Sequence, residues 1–123
     1  MLLADSAILR SIDSGAITIT PFDEARLGSN SYDLTLSEHL LVYSFTTLDS
    51  KHPNAYCRLT IPEEGILLLP GELYLGSTAE FTGTDVYAPF IEGKSSIGRL
   101  GLSIHVTAGV GDIGFHGHWT LEM

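Results

Sequence analysis

The sequence has few basic residues, and this shortage limits the partners that the protein can bind. Lys and Arg together number 6 against 15 Asp and Glu, which gives a formal net charge of −9. A chain of this charge repels nucleic-acid backbones and anionic lipid surfaces unless its basic residues are clustered. We therefore expect neither a nucleic acid nor a membrane as a partner.

Cysteine and long apolar runs are also scarce. Cys57 is the single cysteine, so the chain can form no intramolecular disulfide and has no C-x-x-C pair for zinc or redox chemistry. No run reaches the ~18–20 apolar residues of a membrane helix. The N-terminus, MLLADSAILR, lacks the positive start and the cleavage site of a secretory signal. These absences favour a cytoplasmic protein.

The composition and the apolar runs predict one mainly β domain over residues 1–123. Only the start looks helical: Asp5 or Ser6 can cap a helix of about ten residues, which Gly15 can end. Afterwards, short runs of β-branched, aromatic and leucine residues alternate with turn residues, a pattern typical of an antiparallel sandwich or barrel. The predicted strands are SYDLTL (31–36), HLLVYSF (39–45), CRLTI (57–61), GILLLP (65–70), ELYLGST (72–78), DVYAPFI (85–91), LSIHVTA (102–108) and HWTLEM (118–123).

Two of the six basic residues lie together in GKSSIGR, residues 93–99. Lys94 and Arg99 supply cationic donors, Ser95 and Ser96 supply hydroxyls, and a turn or helix starting here would present free N–H groups to an anion. A phosphate or carboxylate site is one interpretation, and a solvated basic turn is the other. A Walker A loop is not expected, because Ala88 stands where that motif requires glycine.

The glycine-rich stretch that follows contains two further candidate acids. Asp112 lies in a loop and Glu122 on the polar face of the last strand, where a carboxylate beside a substrate can act as a general base. Either acid can equally be an ordinary surface residue. His116 and His118 alternate onto one strand face and, with His105, form a weak candidate for a metal site.

Short polar residues also gather near the first predicted strand. GSNSYDLTL places Asn30, Ser31 and Asp33 at its start. Side chains of this kind usually close an Asx-type turn. We interpret them as structural residues, with substrate contact as the alternative.

Taken together, these motifs resemble the dCTP deaminases and their bifunctional dCTP deaminase–dUTPase relatives, in the trimeric dUTPase-like superfamily. GKSSIGRLGL, HVTAG and TLE occur in the family's order, with 23 residues from Arg99 to Glu122. The resemblance implies a dUTPase-like β-barrel of distorted jelly-roll type. Other matching stretches are LLADSAIL, GAITITPF, LGSNSYDLTL, LLLPGELYLGSTAE and GDIGFHGHWTLE.

The chemistry implied by the resemblance is hydrolytic deamination at C4 of the cytosine of dCTP, giving dUTP and ammonia. A glutamate activates water without zinc. By this resemblance Glu122 is the base, while Ser95 and Arg99 position water and steady the carboxylate. A neighbouring cation favours an ionised carboxylate.

Further residues match the family's substrate contacts. Lys94 and Ser96 match its phosphate contacts, which a neighbouring subunit supplies. The remaining matches are the pyrimidine-reading backbone of Val106, Thr107 and Ala108, the acid Asp112 near the deoxyribose 3′-hydroxyl, and Phe115 against the sugar.

The same resemblance implies Mg²⁺ bound with the triphosphate, dCTP and dUTP as ligands, dTTP as an inhibitor, and a homotrimer with sites between subunits. Three alternatives stay open. A bifunctional enzyme would release dUMP, and Gly109 after Thr107 and Ala108 resembles that group. A simple dUTPase and a non-catalytic nucleotide-binding module are the others.

Two departures from the family pattern lead to further expectations. Family members continue past the TLE strand, so some barrel strands and a C-terminal lid are expected to be missing, and the fold truncated, in the 123 residues. Gly111 also replaces the bulky residue that usually precedes the aspartate. We expect this glycine to loosen the loop that holds Asp112.

Overall fold

The computed structural model describes residues 1–123 and begins with a helix, α1 (Asp5–Asp13). Its N-cap is Ala4, which has no capping side chain, so the prediction of a cap at Asp5 or Ser6 is wrong. Asp5 lies instead in the first turn, where its charge suits the helix dipole. The predicted end is confirmed, because Gly15 follows with a φ of 76°. Neither α1 nor the later helix has the length and the apolar composition of a membrane-spanning segment.

Two antiparallel sheets follow the helix and form most of the fold. One has the strand order β1-β5-β6 and the other the order β3-β2-β4-β7. The predicted mainly β fold with a short N-terminal helix is confirmed, and the two sheets do not close into a barrel. The elements are β1 (Thr18–Thr20), the 3₁₀ turn Glu24–Arg26, β2 (His39–Tyr43), β3 (Tyr56–Thr60), β4 (Tyr74–Ser77), β5 (Phe81–Gly83), α2 (Ser95–Gly98), β6 (His116–Gly117) and β7 (Thr120–Glu122).

Half of the predicted strands are present. Strands β2, β3, β4 and β7 lie within the runs 39–45, 57–61, 72–78 and 118–123 or extend them by one residue. The runs 31–36 and 85–91 contribute only isolated bridges, and 65–70 and 102–108 form no strand. Apolar content misled the prediction at 65–70, because Leu67 is 80% exposed and pairs with no strand.

A buried carboxylate holds the connection between the two sheets. Glu80 lies between β4 and β5 and is 3% exposed. Its carboxylate accepts hydrogen bonds from the Thr35 N–H (2.8 Å) and the Thr35 hydroxyl (2.7 Å). The Thr35 oxygen in turn accepts one from Arg26 Nη1 at 2.7 Å. Residues 33–36 are thereby fixed to the turn after β4.

These contacts also determine how Glu80 titrates. Burial alone would raise the pKa of Glu80, but hydrogen bonds from Thr35 and the nearby charge of Arg26 outweigh it and hold the pKa below its ordinary value. A carboxylate with a lowered folded-state pKa stabilises the fold above its unfolded pKa. That stabilisation is lost as the pH falls through the folded pKa.

We expect Glu80→Gln to lower the free energy of unfolding by about 1–3 kcal/mol at pH 7, because the half-buried Thr35 N–H loses a charged acceptor. The difference from the wild type should shrink as the pH falls below the ordinary pKa of a glutamate and then through the lowered folded-state pKa of Glu80, below which the carboxyl is protonated in both states. Urea unfolding at pH 7, 5, 4 and 3 measures it. Glu64→Gln, at an exposed carboxylate, is the matched control, and an equal loss at pH 3 and pH 7 would contradict the prediction.

Candidate active site

Glu122 lies on the last strand, and two hydrogen bonds to the segment 104–106 hold its backbone and its carboxylate. Strand β7 pairs with β4 so that Glu122 lies opposite Leu75. The Glu122 N–H donates to the Ile104 carbonyl (2.8 Å), and its Oε2 accepts from the Val106 N–H (2.9 Å). The other carboxylate oxygen, Oε1, makes no hydrogen bond within the chain. A half-buried carboxylate fixed in this way can accept a proton from a bound water.

A cavity of about 270 Å³ lies beside this carboxylate. It brings together four residues that the sequence predicted for the site: Glu122, Asp112, Phe115 and Ala108. Val106 is joined to them by its hydrogen bond to Glu122, whereas Thr107 does not line the cavity. The remaining lining residues are His105, Val110, Gly111, His118, Trp119 and Thr120.

The loop that carries Asp112 is anchored on both sides by backbone hydrogen bonds. Upstream, the Gly111 N–H donates to the Pro89 carbonyl at 2.8 Å. Downstream, Gly114, with a φ of 90°, donates to the Thr84 carbonyl at 2.8 Å. Asp112 itself is exposed and its carboxylate makes no hydrogen bond in the chain. The carboxylate is therefore free to accept a hydrogen bond from a ligand.

The basic cluster lies elsewhere in the chain. Lys94 is the N-cap of α2, and Lys94, Ser95, Ser96 and Arg99 are all exposed. None of the ten residues that line the Glu122 cavity comes from the segment 92–101. Arg99 makes no ion pair within the chain. One chain therefore holds two separate groups of predicted site residues.

Lys94 is paired with a carboxylate that the sequence analysis assigned to a turn. The Lys94 ammonium forms an ion pair with the Asp33 carboxylate, and both side chains are about half exposed. The backbone N–H of Asp33 donates to the Arg26 carbonyl (2.9 Å), but the Asp33 carboxylate pairs with Lys94 and does not close the predicted Asx-type turn. The carboxylate competes with any anion that approaches Lys94.

The three histidines each have a partner of their own. His105 Nε2 lies 3.5 Å from Glu92 Oε2, and His116 Nε2 lies 3.0 Å from Asp85 Oδ1. His118 Nδ1 donates to the Thr78 carbonyl at 2.9 Å. No group of three or more His, Cys, Asp or Glu side chains is placed to hold a metal ion.

Sequence reasoning missed two features of this site. It considered His105 only as a metal ligand, although the side chain lines the Glu122 cavity, and it gave no role to Trp119. The signal for Trp119 was available, because the chain's single tryptophan stands next to the TLE motif. No pattern in the sequence indicated the hydrogen bond between Val106 and Glu122, because the two residues are 16 positions apart.

Comparison with known proteins agrees with this arrangement of motifs. The model of the family described as dCTP deaminase-like matches residues 2–123. The chain belongs to this family. The resemblance noted from the sequence is thereby confirmed.

Members of the dCTP deaminase-like family include close relatives of this chain. A protein of Clostridium botulinum named "dCTP deaminase, dUMP-forming" is 59% identical over 123 residues, which is all of this chain and 70% of the relative. A protein of the same name from Leptospira biflexa is 56% identical over the same span, again 70% of its length. One from Cytophaga hutchinsonii is 58% identical over 107 residues, 87% of this chain and 62% of the relative.

We expect Asp33→Asn to tighten the binding of inorganic triphosphate about 1.5- to 5-fold at low salt, because an exposed ion pair is worth about 0.2–1 kcal/mol. The gain should vanish at high salt, where the ion pair is screened. Isothermal titration calorimetry at low and at high ionic strength measures the gain in affinity and its disappearance. Asp13→Asn removes the same charge from an exposed residue without an ion-pair partner, and an equal gain in that variant would contradict the prediction.

Proposed function

We propose that the protein is a dCTP deaminase that releases dUMP: dCTP and two waters give dUMP, ammonia and pyrophosphate. The observation that carries the proposal is Glu122, held by Val106 with one oxygen free, beside a cavity shared with Asp112 and Phe115. The name "dUMP-forming" of the relatives favours this bifunctional reaction over the release of dUTP. The bifunctional alternative thus replaces the main interpretation drawn from the sequence.

The proposed deamination uses Glu122 as a proton carrier. Glu122 takes a proton from water and delivers it to the ring nitrogen N3, while the hydroxide adds to C4 of the cytosine. Glu122 then takes the proton of the new C4 hydroxyl and passes it to the amino group, so that the C4–N4 bond breaks, ammonia leaves and the C4 carbonyl forms. A second water attacks the α-phosphorus of the dUTP formed, and the bond to the bridging oxygen of pyrophosphate breaks.

The proposed nucleotide contacts follow from the two groups of residues. Asp112 accepts a hydrogen bond from the 3′-hydroxyl, and Phe115 packs against the sugar. Because the Val106 N–H already donates to Glu122, the pyrimidine edge is read by the Val106 carbonyl and by the backbone of Thr107 and Ala108. A base-reading segment that also holds the catalytic carboxylate would align C4 with its water.

The triphosphate is proposed to bind the basic cluster with Mg²⁺. Lys94 and Ser96 contact phosphate oxygens, and Ser95 and Arg99 position the attacking water and steady Glu122. Magnesium prefers phosphate oxygens and water to a cage of protein ligands. We therefore propose that the ion enters with dCTP and that the deamination proceeds without zinc.

Incubation of the protein with dCTP and Mg²⁺ should yield ammonia and pyrophosphate in equal amounts, with dUMP as the nucleotide product. Glu122→Gln should reduce ammonia release by about 10²- to 10⁴-fold, because the amide cannot carry the proton. It should leave dCTP binding within a few-fold of the wild type. Coupled assays for ammonia and pyrophosphate, with calorimetry for binding, measure these quantities.

Glu63→Gln, at an exposed carboxylate outside the site, should behave as the wild type. EDTA should stop turnover and added Mg²⁺ restore it, whereas a chelator selective for zinc should have no effect. Ammonia without pyrophosphate would indicate a deaminase alone, and pyrophosphate from dUTP without ammonia from dCTP a simple dUTPase. Binding without either product would indicate a non-catalytic module.

We further propose a homotrimer in which each site takes Glu122 from one subunit and Lys94 from its neighbour. Two observations support this. The basic cluster contributes nothing to the Glu122 cavity of its own chain. Large apolar side chains near both groups are exposed, among them Leu100 at 82% and Val106 at 69%.

Co-expression of Glu122→Gln and Lys94→Ala chains tests the shared site. Each variant alone should be nearly inactive at low dCTP. Random trimers made from equal amounts of both should regain about a quarter of the wild-type activity, because a quarter of the subunit interfaces then combine an intact Glu122 with an intact Lys94. Sedimentation gives the assembly state, and mixed assemblies without activity would mean that each site lies within one chain.

A further inference from the structure

Gly111, directly before Asp112, has no room for a side chain. A Cβ atom built on it would lie 2.9 Å from Pro89 Cγ and 3.1 Å from Trp119 Cζ2, and it would overlap Trp119 Cη2. Gly111 is not among the glycines with positive φ, so its backbone conformation is open to other residues. The glycine is required here by the position of the Trp119 ring.

The Trp119 ring is held firmly in this position. Its Nε1 donates to the Thr82 hydroxyl at 3.0 Å. Its backbone N–H donates to the Thr78 hydroxyl at 3.0 Å, and its carbonyl accepts from the Thr78 N–H at 3.0 Å. Thr78 is 2% exposed. The ring is therefore a fixed surface against which the neighbouring loop packs.

Trp119 contacts both ends of the loop that carries Asp112. At the upstream end it fills the space beside Gly111. At the downstream end its ring centroid lies 5.3 Å from that of Phe115, at an interplanar angle of 55°. The Phe115 N–H donates to the Asp112 carbonyl at 3.1 Å. The position of Asp112 thus depends on contacts that Trp119 makes on either side of it.

Trp119 also separates two cavities. It lines the Glu122 cavity and a neighbouring, mostly apolar cavity of about 430 Å³, which is bordered by Pro89 and Thr82 as well. Phe115 is the one other residue that lines both. Loss of the indole would join the two spaces and leave Gly111 packed only against Pro89 on this side.

We propose that Trp119 is a positioning residue for the sugar end of the nucleotide site, and that Gly111 and Trp119 act as one complementary pair. Trp119 places Asp112 and Phe115, which hold the deoxyribose of the nucleotide. This inference rests on the proposed function. Glu122 is held by other contacts, to Val106 and to β4, so the pair governs substrate binding more than the chemical step.

The test moves side-chain volume from position 119 to position 111 and keeps the sum of the two volumes nearly constant. Trp119→Val should raise the KM for dCTP about 10-fold or more and leave kcat within about threefold, because the sugar contacts are displaced while Glu122 is not. Gly111→Val should impair the protein further through its overlap with the indole. The double variant should recover a KM within about threefold of the wild type, since the new side chain fills the space that the indole left.

Urea unfolding of the wild type, the two single variants and the double variant tests the pairing of Gly111 with Trp119 independently of the proposed function. The double variant should unfold at a higher urea concentration than Gly111→Val alone. If the wild type releases no ammonia from dCTP, the proposed function fails, and the unfolding cycle alone then decides the pairing of the two residues. An unchanged KM in Trp119→Val, a fall in kcat at constant KM, or the absence of any rescue in both measurements would overturn the inference. Leu48→Val, at an exposed side chain outside both cavities, is the control.

Discussion

The pairing of β7 with β4 is the constraint on which the candidate site depends. Three residue pairs, from Leu75 opposite Glu122 to Ser77 opposite Thr120, fix the last strand in register. Side chains alternate across a strand, so Leu121 is buried, 6% exposed, while Glu122 reaches the cavity. A slip of one residue would exchange these two environments. The proposed general base and the core are therefore specified together.

The contacts that fix the last strand continue beyond it at Thr78. Its backbone and hydroxyl both bond Trp119, and the same hydroxyl donates to the Glu80 carbonyl at 2.9 Å. Glu80 then holds Thr35, and two residues earlier Asp33 pairs with Lys94. Hydrogen bonds, short backbone segments and one ion pair thus join the residues around the Glu122 cavity to the basic cluster.

The sequence was sufficient for the parts of this structure that depend on local pattern. Strand β7, with Glu122 on its polar face, and the loop position of Asp112 follow from the alternation and from the glycine-rich pattern. The prediction of a strand at 65–70 was wrong, and Ile66, Leu67 and Leu69 of this segment are exposed in the single chain. A hydrophobic pattern predicts that a segment is buried, but it does not indicate whether the same chain or a neighbouring subunit covers it. Exposed leucines of this kind are what a subunit interface would require.

Contacts between distant residues could not be predicted in this way, and Gly111 illustrates the reason. Glycine in a loop ordinarily signals backbone freedom, and from the sequence it suggested a loosened contact at Asp112. Its φ is not positive, and Trp119, eight positions later, occupies the space of the missing side chain. The indole thus keeps the interior filled beside the glycine. A departure from the family pattern at a single position is therefore informative only together with its neighbour in space, and that neighbour is identified by the fold.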